Sequence, residues 1–170
     1  MSQKVHFIFT GGTIDSFWDG PKDTATPYKS SQIPFFLKQL QLFQPHTCTE
    51  ICMKDSRSMG KKDILKILKC IKKSPHKKVI ITHGTYTMPE TGRFLKAHLP
   101  KNDKVIILTG SMVPLVGFSP SDAGFNLGYS LAKVNELPPG IYICMNGRVF
   151  KPEDVLKTLK EGRFSSIMSI

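Results

Sequence analysis

The sequence predicts an α/β domain: a doubly wound, mostly parallel sheet held between helix layers. Three observations predict it. Apolar, β-branched runs alternate with helical patterns along the chain, the order produced when parallel strands are joined by helical crossovers. Several runs, such as Val79-Ile80-Ile81 and Val105-Ile106-Ile107-Leu108, are apolar at consecutive positions, so both faces of the sheet must be covered. At 170 residues one core suffices, and a single domain over residues 1–170 is expected.

The elements follow in order. A first strand over residues 5–10 runs into Thr10-Gly11-Gly12-Thr13-Ile14, where two glycines let the backbone turn sharply and leave the Thr13 hydroxyl at the strand's carboxyl end. Residues 15–30 are rich in Gly, Pro, Asp and Thr and too long for an ordinary connection; a mobile lid is expected. Helical patterns over 31–42, 61–73, 89–98, 121–136 and 152–162 alternate with strands over 47–53, 78–83, 104–108 and 141–145. In the second helix Lys62, Lys66, Lys69 and Lys73 recur every three or four residues opposite Ile64, Leu68 and Ile71, the solvated back of an amphipathic helix. Ser121 or Asp122 is the expected N-cap of the fourth helix, and Gly162 the stop of the fifth.

Composition narrows the function. Hydrophobic residues at 40% and charged residues at 22% are ordinary globular values, and no apolar run approaches the roughly 20 residues of a membrane helix. Met1-Ser2-Gln3-Lys4 passes straight into a strand without the apolar stretch of a signal peptide, so a soluble, cytoplasmic protein is expected. Cys48, Cys52, Cys70 and Cys144 form no CxxC and lie mostly in apolar segments, which predicts buried free thiols; neither a metal site nor a cofactor is expected. A net charge of +11 invites a nucleic-acid reading, but much of the excess is the lysine face of the second helix, without interleaved aromatics. Nucleic acid is not expected as a partner.

In open α/β sheets, ligands bind beyond the carboxyl ends of the strands. Each strand here delivers small or hydroxylated residues there: Gly12 and Thr13 after the first, Asp55, Ser56 and Arg57 after the second, Gly84, Thr85 and Tyr86 after the third, and Gly110 and Ser111 after the fourth. Together they suggest a site built of Thr and Ser.

The segments TGGTI at 10–14, HGTYTMPETG at 83–92 and LTGSMVP at 108–114 resemble the asparaginase and glutaminase amidohydrolases in order and spacing. The likeness continues through Ser121-Asp122, Asn126-Leu127 and residues 140–158 and covers almost the whole chain. By this resemblance Thr13 is the nucleophile, Thr85 the second threonine, Lys157 the site lysine, Ser56 a substrate-binding serine and Tyr28 the lid tyrosine. The chemistry suits such a set: an oxygen nucleophile must lose a proton, its oxyanion needs backbone N–H donors of the kind found around Gly12 and Gly84, and a lysine becomes a base only if its pKa is lowered.

Departures from the family pattern qualify the substrate. Tyr86 stands where the family has an aspartate that grips the substrate ammonium and supports the lysine; Val113 stands where arginine is frequent. Asp15, two residues from Thr13, is expected to be a solvated loop acid, with a negative charge near the site as the second reading. The chain stops at residue 170, near where the family enters a smaller C-terminal domain, so a stand-alone domain is expected, paired as a homo-oligomer through a surface that includes Ile167, Met168 and Ile170. The function expected is hydrolysis of a small carboxamide or amino-acid amide. The alternatives are a catalytically weak relative that binds such a molecule, a subunit of a larger assembly, or an amidotransferase component near transfer RNA.

Overall fold

The computed structural model describes residues 4–169. In chain order it comprises β1 (Val5–Gly11), β2 (Ser16–Asp19), β3 (Thr24–Pro27), α1 (Ile33–Gln39), β4 (His46–Lys54), α2 (Lys61–Lys73), β5 (Lys78–Thr82), α3 (Met88–His98), β6 (Val105–Thr109), α4 (Ala123–Glu136), β7 (Gly140–Met145), β8 (Arg148–Phe150), β9 (Leu156–Thr158) and β10 (Arg163–Ser165). Six strands form one sheet in the order β4-β1-β5-β6-β7-β8, parallel except for β8. The chain leaves β1 toward β4 and crosses back to β5 on the other side, so the direction of winding reverses around β1. That reversal opens a crevice at the carboxyl ends of β1, β4 and β5.

Two cores flank the sheet. On one face Ile67, Leu68 and Ile71 of α2 and Leu95 of α3 pack with Ile8, Val79, Ile81, Ile106 and Leu108. On the other, Ile33 and Leu37 of α1 and Ala123, Leu127 and Val134 of α4 pack with Phe7, Phe9, Ile80, Val105 and Ile107. Alternate residues of one strand serve opposite faces, which is why these runs are apolar throughout. Among the described residues, no helix is long and apolar enough to cross a membrane.

Within these elements the structure departs from the sequence expectations in three places. Residues 152–162 are not a helix: they contain β9 and a single 3₁₀ turn, and Gly162, at φ +61°, turns the chain into β10. Their helical periodicity is overridden because the β9–β10 hairpin is held from outside, with Phe164 N donating to Asn146 Oδ1 at 3.0 Å and Met168 N to Asp154 Oδ1 at 3.0 Å. Residues 15–30 contain the β2–β3 hairpin rather than an irregular loop. Of the four free cysteines only Cys144 is buried, its thiol pushed up to about 12 by desolvation, while Cys48 is exposed. As expected, the N-cap of α4 is Asp122, although the hydroxyl that accepts a first-turn amide, Ala123 N at 3.1 Å, is that of Ser121.

Thr82, at the end of β5, is fully buried, and its hydroxyl has no hydrogen-bond partner among the described residues. Thr82→Val replaces that unpaired hydroxyl by a methyl group and is expected to stabilise the fold by about 0.5–1 kcal/mol, read as a rise of a few degrees in thermal midpoint.

Candidate active site

The carboxyl ends of β1, β4 and β5 meet main chain to main chain. Gly12 has φ +81° and ψ −175°, and a Cβ there would lie 2.5 Å from Gly84 Cα. A Cβ at Gly84 would in turn lie 2.6 Å from Ser56 Cβ. Gly12 N also donates to Lys54 O at 2.8 Å. The TGGTI turn, the turn opening HGTYT and the Ser56 turn therefore start from adjoining backbones, which only glycine at positions 12 and 84 permits.

Ser56 and Thr85 are each only 2% exposed. Ser56 is tied to the third-strand turn by Thr87, whose hydroxyl donates to Ser56 O at 3.1 Å and whose amide donates to Ser56 Oγ at 3.4 Å. Lys157, carried in by β9, donates from Nζ to Thr85 Oγ1 at 2.8 Å. Burial, and after it the nearby Arg57 guanidinium, lower its pKa, with Asp55 opposing. The ammonium stands 3.9 Å from the centre of the Tyr86 ring, and Arg57 Cζ lies 4.5 Å from the same centre. Lys157 thus has a partner where the family's aspartate is missing: the negative face of an aromatic ring, worth about 0.5–2 kcal/mol depending on desolvation.

Thr13 opens a 3₁₀ turn directly after Gly12 and is half-buried; its hydroxyl makes no hydrogen bond among the described residues. Asp15 proves to be neither a solvated acid nor a free charge. It is fully buried and receives Ser31 Oγ at 2.7 Å and Gln32 N at 2.8 Å, fastening the segment after Thr13 to the start of α1. Its pKa is raised, chiefly by burial, against those two hydrogen bonds. Tyr28 is fixed by its amide, which donates to Asp15 O at 2.8 Å, and its ring packs 5.0 Å from that of Phe17. The structure thus gathers Ser56, Thr85, Tyr86 and Lys157 directly and Thr13 through the Gly12–Gly84 approach, whereas Tyr28 is tied to the group only by its backbone.

Several supporting residues escaped sequence reasoning. Asp122 accepts the amides of Met112 and Val113 at 2.9 Å each and the Asn126 side-chain amide at 3.0 Å. Asn126, fully buried, also donates to Gly110 O at 3.0 Å and accepts Asn146 N at 3.1 Å. Asn146 then accepts Phe164 N, and Phe164 pairs with Lys157 across the β9–β10 ladder. This chain fixes the hairpin that delivers Lys157. Its signal was in the sequence: Asn146-Gly147, both at positive φ, is the two-residue turn that joins β7 to β8. His83 braces the neighbouring turn, bonding Gly84 O at 2.8 Å and the Thr91 hydroxyl at 3.0 Å. A carbonyl can only accept, so Nδ1 bears the proton, and burial lowers the ring's pKa.

A cavity of about 340 Å³ beside these groups is lined by Tyr86, Glu90, Arg93, Leu156, Lys157 and Ile167, among others. A larger one, about 500 Å³, lies between β4 and α2 near the amino ends of the strands. Its buried histidine, His6, is satisfied by Ser74 and Thr49 at 2.8 Å each, whereas the smaller cavity is lined by Lys157, the partner of Thr85. Among the described residues no three His, Cys, Asp or Glu side chains are grouped to hold a metal ion. Ile167 and Met168 are exposed; Ile170 lies outside the described residues.

Residues 4–168 match the family described as Asparaginase, N-terminal. The chain is 32% identical over 165 residues to a glutaminase-asparaginase of Acinetobacter glutaminasificans, covering 90% of this chain and 49% of that protein. The L-asparaginase 2 of Bacillus subtilis is 28% identical over 167 residues, covering 91% and 44%. Among solved structures, a probable cytoplasmic L-asparaginase from Campylobacter jejuni superposes with a TM-score of 0.80 at 30% identity, covering 97% of this chain and 53% of that one. The thermostable L-asparaginase from Thermococcus kodakarensis does so with a TM-score of 0.82 at 25% identity, covering 96% and 51%. The chain therefore spans about half the length of the relatives it matches.

Proposed function

The chain belongs to the asparaginase family, through its N-terminal domain, and on that premise we propose that it hydrolyses a small carboxamide with Thr13 as nucleophile. The observation that carries this reading is the 2.8 Å bond between Lys157 Nζ and a buried Thr85 hydroxyl, with the lysine pKa lowered by burial. A lysine of lowered pKa is neutral more often near physiological pH and can draw a proton through Thr85 from the attacking hydroxyl. The Thr13 oxygen then bonds to the amide carbon, backbone N–H groups at the Gly12 and Gly84 turns stabilise the oxyanion, and the C–N bond breaks as the nitrogen takes up the proton and leaves as ammonia. Water hydrolyses the threonyl ester and restores the enzyme. Ser56, tied to the same turn, is read as a substrate-binding group, and Tyr28 as the lid side chain that closes over Thr13.

Action in the cytoplasm as a homo-oligomer completes the proposal. The cytoplasmic placing is supported by the similarity to the Campylobacter jejuni protein, and exposed Ile167 and Met168 offer part of a pairing surface. The test is ammonia release from a panel of small amides. Thr13→Ala is expected to lower it by about a thousandfold or more with the circular dichroism spectrum unchanged. A variant that keeps more than a tenth of parental activity would remove Thr13 from the role.

A further inference from the structure

The charges around Tyr86 narrow the substrate class of the proposed hydrolysis. Two carboxylates are near, and an arginine holds each. Asp55 receives Arg57 through its backbone amide at 2.8 Å, Nε at 3.0 Å and a terminal nitrogen at 2.9 Å. Glu90, in the wall of the cavity that Tyr86 and Lys157 line, is bound by Arg93 at 2.9 Å, and Arg93 also donates to Pro152 O at 2.9 Å. Lys157 has no carboxylate within salt-bridge distance among the described residues: its neighbours are the Thr85 hydroxyl and the Tyr86 ring. Each acid thus already has its arginine, and neither is free for a further cation.

An arriving α-ammonium group would find both carboxylates taken, and to gain a counter-charge it would have to pull Arg57 from its forked partner or Arg93 from Glu90. A carboxylate meets the opposite situation. It can share the Arg57 guanidinium, whose pair with Asp55 is itself solvent-exposed, and needs no charge from Lys157. Like charges brought together at such a site discriminate strongly between ligands that are otherwise alike.

We infer that this site takes an amide bearing a carboxylate but no α-ammonium, a dicarboxylic acid monoamide of the succinamate kind, and that Arg57 and Tyr86 select it over L-asparagine. The inference rests on the hydrolase reading only for the reaction: succinamate and water give succinate and ammonia, by the bond changes already described. Selection itself is a property of binding.

Ammonia release from succinamate and from L-asparagine is measured with the purified chain, and both amides are titrated by calorimetry into Thr13→Ala. The parent is expected to favour succinamate by about tenfold or more in kcat/KM, and Arg57→Gln to cut that ratio by about tenfold, mainly through KM. Arg57→Lys should keep part of the preference. Tyr86→Asp should move the ratio toward asparagine, since its carboxylate supplies the missing counter-charge. If both amides turn over without preference, the selection falls and the hydrolase stands. Should neither turn over while succinamate still binds Thr13→Ala at least tenfold more tightly, the hydrolase falls and the selection stands. Equal binding of the two amides, or a ratio indifferent to Arg57→Gln, overturns the inference.

Discussion

Lys157→Met is expected to lower amide hydrolysis by about a thousandfold while leaving the fold intact, because a positioned base contributes roughly 10²–10⁴ in rate. Methionine matches the lysine side chain as far as Cε, so β9 and its pairing with β10 are preserved, but the partner of Thr85 Oγ1 is gone. Two pH signatures separate this from a merely structural effect. In the parent, activity should rise with pH as Lys157 loses its proton, and the variant's residual activity should lack that limb. Stability should behave in parallel. The native pKa lies below the ordinary value of 10.5, so between the two this group binds more protons in the unfolded chain than in the folded one, and its contribution to stability rises with pH across that window. Urea unfolding at a series of alkaline pH values should show a steeper rise in the parent than in Lys157→Met, the other shifted lysines being common to both. Identical curves for both would mean that the ammonium is not held in a disfavoured state.

The second large effect is structural. Gly12→Ala should destabilise the protein by roughly 3–5 kcal/mol, a fall of about 10 °C or more in thermal midpoint. Two costs add. The backbone at φ +81° and ψ −175° is a conformation that side chains with a Cβ essentially never adopt, and the new methyl would sit 2.5 Å from Gly84 Cα, a backbone atom that cannot swing aside. Gly20→Ala provides the comparison. That glycine has nothing within 4 Å of the added atom, so its effect should stay within about 0.5 kcal/mol. A Gly12→Ala protein that melts within a few degrees of the parent would show that the TGGTI and HGTYT turns do not pack as tightly as described, and with that the link from Thr13 to Thr85 would go.

Much of the candidate site was legible residue by residue where a member follows a strand whose apolar run is unmistakable. Thr13, Ser56 and Thr85 adjoin the ends of β1, β4 and β5, and in a parallel sheet those ends share an edge. Lys157 was legible only through the family resemblance, since the local pattern of residues 152–162 pointed to a helix and the structure has a hairpin. Arg57 was passed over for a different reason. Its role depends on standing against Tyr86, a neighbour 29 positions away in the chain, and on the grip of Asp55, and neither is a periodic signal.

The sequence by itself determined the wound sheet, its covered faces and the strand ends at which a site must form, because hydrophobic periodicity and short crossovers leave few other solutions. Tertiary structure decided how the groups at that edge are charged and held. Asp15, read as an exposed acid, became a buried fastening for α1 because Ser31 Oγ and Gln32 N were brought to its oxygens. The β9–β10 hairpin is held because buried Asn126 of α4 accepts the Asn146 amide and the Asn146 side chain in turn accepts Phe164 N. A buried polar group is costly unless it is paired, and pairing is a relation among distant segments that no local run of residues can encode.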